Sequence, residues 1–98
     1  MDEAKALMEE SEGYILLDVR TKEEYESGYI PGAINIPLSD INGNVVSSLP
    51  DKSQMILVYC RSGNRSRQAS DKLSRLGYTN IIEIGGINSW KGEIIKID

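Results

Sequence analysis

Short apolar runs alternate along the chain with segments in which apolar residues recur at helical spacing. Continuous apolar runs of this length are typical of strands buried on both faces of a parallel sheet. The pattern predicts strands at residues 14–19, 33–36, 55–59 and 80–84, with a short edge strand at 93–98. It predicts helices at residues 2–11, from 21 to about 27, from about 65 to 76, and at 87–91. Strands that alternate with helices indicate an α/β domain with a mainly parallel sheet.

Local signals support the bounds of these elements. Thr21-Lys22-Glu23-Glu24 forms a capping box, in which Thr21 caps a helix and Glu24 reaches back to it. Gly28 is suited to end that helix, and Gly77 is suited to end the helix that follows residue 65. Residues 38–50 are loop-like, with a turn at Asn42-Gly43-Asn44 and room for a helical turn on either side.

Cys60, the only cysteine, stands at the carboxyl end of the most strongly predicted strand. A short loop and the start of a helix follow it, and ligand sites in open α/β sheets form at such strand ends. The loop amides and the helix dipole would favour a thiolate over a thiol at this position. Asp18 and Arg20 close another of the predicted strands. The candidate site residues of the loop are Arg61, Ser62, Gly63, Asn64, Arg65 and Ser66.

The length of 98 residues predicts a single domain spanning residues 1–98. A lone cysteine excludes an internal disulfide and suits a reducing compartment, so we expect a cytoplasmic protein. No apolar run approaches the roughly 20 residues that a membrane span needs, so we expect no membrane partner.

Charge is distributed unevenly along the chain. The net charge is −4, which argues against a nucleic-acid partner. Residues 1–26 hold nine acidic residues against three basic ones, whereas residues 55–76 hold five basic residues against one acidic residue. Three of those five bases fit a solvated helix face, but Arg61 and Arg65 lie inside the loop that follows Cys60.

The absence of histidine excludes several chemistries. Ser-His and Cys-His catalysis cannot occur within this chain, and one cysteine without histidine leaves no plausible zinc site. No Gly-rich dinucleotide motif or P-loop lysine is present, and we expect neither a metal nor a cofactor.

The loop from Cys60 to Ser66 resembles the active-site loop of the rhodanese family of sulfurtransferases. Three further motifs resemble that family's signatures in the same order: Leu17–Arg20 with Glu23–Tyr25, Gly28–Pro37, and Gly85-Gly86 with Trp90. The resemblance covers nearly the whole chain and implies a three-layer domain, in which helices flank a mainly parallel five-stranded sheet on both faces. It also implies that the cysteine takes a sulfane sulfur from an anionic donor such as thiosulfate, holds it as a persulfide and passes it to cyanide or a thiol.

The residues around Cys60 suit that chemistry. A thiolate is the form of cysteine that attacks sulfur, and Arg65, with Arg61, can pair with an oxyanion through a planar guanidinium. Gly63 permits a backbone conformation or a close approach that a side chain would obstruct.

Other residues have supporting roles in this interpretation. The hydroxyls of Ser62 and Ser66 can donate hydrogen bonds to a bound anion. We expect Asp18, with Arg20, to support the site by holding a loop arginine in place, although the two could form an ordinary salt bridge. Tyr29 stands where the family usually has a histidine, and we expect that position to be structural.

Three other functions compete with this one. Phosphatases and arsenate reductases place five residues between cysteine and arginine, whereas four separate Cys60 from Arg65, which gives a cradle better suited to sulfur. A persulfide carrier in a protein sulfur relay would need the same residues and a partner protein. A non-catalytic rhodanese-like module for binding or regulation would usually lack the cysteine or have a distorted loop.

Overall fold

The computed structural model describes residues 2–97 and confirms the alternation of strands with helices. The helices are α1 (Asp2–Glu10), α2 (Lys22–Glu26) and α3 (Asn64–Arg75), and the strands are β1 (Ile15–Asp18), β2 (Ile34–Asn35), β3 (Ile56–Cys60) and β4 (Ile81–Gly86). Short 3₁₀ helices lie at Leu38–Asp40, Gly43–Ser47 and Ile87–Ser89. The predicted helix at 87–91 is therefore a single 3₁₀ turn, and Trp90 directly after it is half-buried.

The sheet has the strand order β2-β1-β3-β4, and all of its pairs are parallel. Within the described residues it contains four strands, so the expectation of five strands was wrong in number. The predicted edge strand at 93–98 forms one antiparallel bridge, between Ile95 and Tyr29. The tail takes this path because its backbone hydrogen bonds go to Tyr29 and to the carbonyl of Glu26, which lie outside the sheet. Asp98 lies outside the described residues.

Two apolar clusters cover the two faces of the sheet. Side chains alternate across a strand, so neighbouring residues of β1 and β3 belong to different clusters. The first cluster joins the sheet to α3 through Leu17, Val19, Val58, Cys60, Ala69 and Leu73. The second joins it to the side of α1 and α2 through Leu16, Leu57, Tyr59, Ile30 and Ala33, with half-buried Leu7, Met8 and Tyr25 packed against it. This arrangement confirms the predicted three layers and places Cys60 on the face that α3 covers.

The register of the strands brings the segments that carry candidate residues to one edge. Asp18 pairs with Tyr59, and Cys60 pairs with Gly86, so the ends of β1, β3 and β4 meet. No helix among residues 2–97 has the length and apolar character needed to cross a membrane.

Candidate active site

Cys60 is the last residue of β3, and the loop that follows it curls back over its sulfur. The Gly63 amide donates a hydrogen bond to Cys60 Sγ over 3.0 Å. Gly63 has φ +103° and is the N-cap of α3, so this residue needs the backbone freedom that glycine provides. The loop and the helix N-terminus therefore form the amide cradle that was predicted around Cys60.

The surroundings of Cys60 act on its pKa in opposite directions. Burial raises the pKa of the thiol, since Cys60 is only 1% exposed. Hydrogen bonding with the side chain and amide of Ser66 and with the amides of Gly63 and Ser62 outweighs that effect and leaves the pKa of Cys60 below its ordinary value. The site thus favours the ionised form that acts as a nucleophile.

The end of β4 supports the loop from the other side. A Cβ atom at Gly86 would lie 2.3 Å from the Arg61 carbonyl oxygen and 2.6 Å from Ser62 Cα. The Arg61 carbonyl also accepts a hydrogen bond from the Asn88 amide over 3.2 Å. The absence of a side chain at Gly86 therefore lets the loop backbone pack directly on the sheet.

Ser66 lies beneath the cysteine, with its side chain fully buried. Its hydroxyl is 3.5 Å from Cys60 Sγ and donates to a carboxylate oxygen of Glu83 through a short hydrogen bond. The expectation that Ser66 would reach an anion in the open loop therefore needs correction, because its hydroxyl is taken up by partners below the loop. Ser62 is exposed, and its backbone contributes an amide to the sulfur.

Arg65 forms a bidentate ion pair with Glu24, at 2.6 Å from Nη1 to Oε1 and 2.8 Å from Nη2 to Oε2. Hydrogen bonding to Glu24 raises the pKa of Arg65, and Arg65 in turn is the main cause of lowering the pKa of Glu24 to about 2. Glu24 also accepts hydrogen bonds from the Thr21 amide and hydroxyl, which confirms the predicted capping box. The residue that holds the loop arginine is thus Glu24.

Asp18 pairs with Arg20, and the expectation that Asp18 holds a loop arginine was wrong. Its carboxylate accepts hydrogen bonds from Nε and Nη2 of Arg20, the shortest over 2.7 Å, and both side chains are buried. Arg20 also donates to the Gly28 carbonyl and lies 5.8 Å from the centroid of the Tyr59 ring. The two residues are only two positions apart at the end of β1, so their side chains lie within hydrogen-bond distance of each other and satisfy each other.

The remaining predicted residues lie at the surface of the loop. The side chains of Arg61 and Asn64 are exposed, so they can meet a ligand from solvent. A cleft of about 240 Å³ lies beside Arg65; it is lined also by Val19, Thr21, Pro37, Leu38 and Ser39. Its largely apolar wall adjoins the carboxyl end of β1.

Tyr29 stacks on Tyr25, with ring centroids 4.2 Å apart and an interplanar angle of 15°. Its backbone pairs with Ile95, and the Tyr25 hydroxyl donates to the Ala33 carbonyl over 2.7 Å. These contacts give the position that usually carries a histidine in the family a packing role in this chain.

Sequence reasoning missed two acidic residues of the site. Glu24 was interpreted as a helix cap alone, and its pairing with Arg65 depends on a contact across 41 positions. Glu83 was overlooked, although a charged residue inside the apolar segment Ile81-Ile82-Glu83-Ile84 was a usable signal that its carboxylate needs a partner.

Known proteins resemble this chain in sequence. The family model for the rhodanese-like domain matches residues 1–93. Thiosulfate sulfurtransferase PspE from Escherichia coli strain K12 is 41% identical over 71 residues, which cover 72% of this chain and 68% of PspE. The putative sulfur carrier protein YrkF from Bacillus subtilis is 31% identical over 90 residues, which cover 91% of this chain and 48% of YrkF.

Longer proteins and a solved structure also match. Adenylyltransferase and sulfurtransferase UBA4 from Meyerozyma guilliermondii is 39% identical over 89 residues, but the chain spans only 21% of its length. The solved structure of a rhodanese with anions from E. coli has a TM-score of 0.78 and 36% identity, and the match covers 85% of this chain and 98% of that one.

The signature motifs, the three-layer fold and the matching relatives agree over most of the chain. The chain belongs to the family of rhodanese-like domains, whose relatives here include sulfurtransferases.

Proposed function

We propose that this protein is a sulfurtransferase that carries a sulfane sulfur as a persulfide on Cys60. The observation that carries the proposal is the position of Cys60 at the end of β3, with the Gly63 amide 3.0 Å from its sulfur and its pKa below the ordinary value. The similarity to thiosulfate sulfurtransferase PspE supports thiosulfate as a donor.

The reaction has two displacement steps on sulfur. The Cys60 thiolate attacks the outer sulfur of thiosulfate; a bond forms between the two sulfurs, the sulfur–sulfur bond of thiosulfate breaks, and sulfite leaves with the electron pair. The resulting persulfide anion carries the transferred sulfur. An acceptor such as cyanide then attacks that outer sulfur, thiocyanate leaves, and Cys60 returns as a thiolate.

The cradle supplies the electrostatics of both steps. Loop amides and the N-terminus of α3 stabilise negative charge on the sulfur and so raise the fraction of Cys60 that is ionised without a general base. We assign the stabilisation of the reacting sulfur to the loop amides and the attraction of an anionic donor to exposed Arg61, because the charge of Arg65 is paired with Glu24. Because Cys60 is only 1% exposed, a small donor or a narrow thiol is favoured over a bulky one.

The test is the intact mass of the reduced protein after incubation with thiosulfate. We expect a gain of one sulfur, roughly 32 Da, that disappears on addition of cyanide or dithiothreitol. Cys60→Ser should show no gain, while exposed Ser74→Ala on α3 should behave as wild type. A gain that persists in Cys60→Ser, or no gain with thiosulfate, polysulfide or mercaptopyruvate, would contradict the proposed enzyme.

A persulfide carrier in a sulfur relay is the second candidate, and the similarity to the putative sulfur carrier YrkF favours it. A carrier would load from a protein persulfide much faster than from thiosulfate. The rates of persulfide loading from the two donors, measured by the same mass change, distinguish the two candidates. Faster loading from thiosulfate than from a protein persulfide supports the enzyme. The relay partner protein of this second candidate and a cytoplasmic location stay predictions from the sequence.

A further inference from the structure

Glu83 brings a carboxylate to the cysteine's side of the sheet. The register pairs Glu83 with Val58, and Val58 belongs with Cys60 to the cluster packed on α3. Register partners in a parallel pair point to the same face. The ladder then skips Ile84, so that Gly85 pairs with Tyr59 and Gly86 with Cys60. The half-buried carboxylate of Glu83 therefore lies below the loop that holds Cys60.

The contacts of this carboxylate converge on Ser66. Glu83 Oε1 accepts the short hydrogen bond from the Ser66 hydroxyl and a second one from the Gly85 amide over 3.0 Å. The same hydroxyl oxygen is 3.0 Å from the Gly63 carbonyl oxygen and 3.5 Å from Cys60 Sγ. Ser66 is thus shared between the reactive sulfur and an acidic residue of β4.

A hydroxyl has one proton and can donate it in one direction at a time. An ionised carboxylate is a stronger acceptor than a carbonyl, so the Ser66 proton points to Glu83. In that orientation Ser66 offers a lone pair to Cys60, and the thiol can donate to it. For Ser66 to add to the stabilisation of the thiolate, its hydroxyl must turn away from Glu83 and towards Sγ.

We propose that Glu83 is a positioning residue that fixes the direction of the Ser66 hydroxyl and thereby favours the thiol form of Cys60 until that hydroxyl turns. The inference rests on the proposed function through the role of Cys60 as the nucleophile. Glu83 offsets part of the effect of the amide cradle. A thiolate that is less strongly stabilised is intrinsically more nucleophilic, whereas the ionised fraction at neutral pH is smaller.

The other charged groups near Cys60 stay unchanged in this comparison. Arg65 of α3 is paired with Glu24 of α2, and Arg67 donates through Nε to the Gly63 carbonyl over 3.2 Å. At the end of β1, Asp18 and Arg20 are paired with each other. A substitution at Glu83 therefore changes only one charged group near Cys60, and the effect on Cys60 can be attributed to that carboxylate.

The test is the pH dependence of Cys60 alkylation by iodoacetamide, followed by intact mass. Glu83→Gln keeps the shape and the acceptor oxygen but removes the charge, and we expect the midpoint of the alkylation profile to fall by about half a unit to one pH unit. Glu83→Asp keeps the charge but withdraws it from Ser66, and we expect a fall in the same direction. Glu12→Gln, an exposed change in the segment before β1, should leave the midpoint unchanged.

The route through Ser66 is tested by a double-mutant cycle. In a Ser66→Ala background, Glu83→Gln should no longer lower the midpoint. An equal fall in both backgrounds would show that Glu83 acts by its charge alone and would overturn the proposal. An unchanged midpoint in Glu83→Gln would also overturn it; if that variant does not fold, as judged by circular dichroism, the Glu83→Asp profile decides.

Alkylation needs no sulfur transfer, so the two proposals fail separately. The expected shifts without any persulfide would leave the role of Glu83 intact and contradict the sulfurtransferase. A persulfide on Cys60 together with unshifted alkylation midpoints would support the sulfurtransferase and contradict the role of Glu83.

Discussion

Glu24→Gln tests whether the ion pair between Glu24 of α2 and Arg65 of α3 stabilises the fold. The Glu24 carboxylate accepts two hydrogen bonds from the Arg65 guanidinium and also completes the capping box of α2. Glutamine serves in a capping box as well as glutamate does, so this substitution removes the charge and keeps the cap. The change in the free energy of unfolding therefore reports on the pair with Arg65.

The magnitude follows from the pKa of Glu24, which Arg65, against the opposing effect of burial and with smaller contributions from Thr21, lowers from an ordinary value of 4.5 to about 2. One pKa unit corresponds to about 1.4 kcal/mol, so the full shift corresponds to about 3 kcal/mol of interaction with the ionised form. The side chains of Arg65 and Glu24 are 30% and 29% exposed, and solvent screening weakens such pairs. We therefore expect Glu24→Gln to lower the free energy of unfolding by about 1–2 kcal/mol at pH 7.

The sign of the pH dependence is fixed by the direction of the shift. A carboxyl group with a lowered pKa in the folded state stabilises the fold fully above its unfolded pKa of about 4.5. That stabilisation is lost as the pH falls towards about 2. Urea unfolding of both proteins at pH 7, 5, 4 and 3 should thus show a difference that is constant down to pH 5 and then shrinks.

Glu23→Gln is the matched control, because Glu23 is an exposed neighbour in the first turn of the same helix. It should change the free energy of unfolding by less than about 0.5 kcal/mol, as expected of a surface substitution. A difference for Glu24→Gln that stays the same from pH 7 to pH 3, or one that Glu23→Gln reproduces, would refute the reasoning.

Three further substitutions test other contacts of the fold and the site. Asp18→Asn leaves the buried Arg20 charge unpaired and should lower the free energy of unfolding, measured with urea, by about 3–5 kcal/mol. Asp71→Asn in the exposed pair with Arg75 should lower it by less than about 1 kcal/mol, and an equal decrease in both variants would show that burial of the pair makes no difference. Tyr59→Phe removes the acceptor of the buried Ile30 amide, 3.2 Å away, and should lower the free energy of unfolding by about 1–3 kcal/mol; an unchanged value would show that this hydrogen bond contributes nothing. Gly86→Ala places a methyl group against the Arg61 carbonyl, so it should slow persulfide formation, measured by intact mass, and destabilise the fold by about 1–3 kcal/mol. Gly43→Ala, which has open space around it, should form the persulfide at the wild-type rate.

The predicted elements came from signals that act over a few residues. The apolar run before Cys60 identified β3 because a strand buried on both faces needs no polar positions, and the capping box located the start of α2 to within a residue. β2 has two paired residues where four were predicted, and β4 extends through both glycines, since strand length depends on the neighbouring strand as well as on the run itself.

The partners of the charged residues could not be predicted in the same way. Arg65 and Glu24 meet because β1 and β3 are neighbours in the sheet, and the sequence pattern does not state strand order. The pairing of Asp18 with Arg20, in contrast, is local, and the sequence left it open as an ordinary salt bridge. Each charged side chain thus pairs with an oppositely charged one that the fold places close to it.

These pairings change what the basic segment around Cys60 does. Its net positive charge suggested a site that attracts anions through several arginines, yet Arg65 is paired with Glu24, and Arg75 with Asp71. The attraction that acts directly on Cys60 Sγ therefore comes from the amide of Gly63 and its neighbours and from the N-terminus of α3. Backbone dipoles are fixed in direction and short in range, so they stabilise charge on the sulfur itself more than they gather anions from solvent. Such a site stabilises a thiolate at Cys60, and the recognition of a ligand depends on the exposed residues around it.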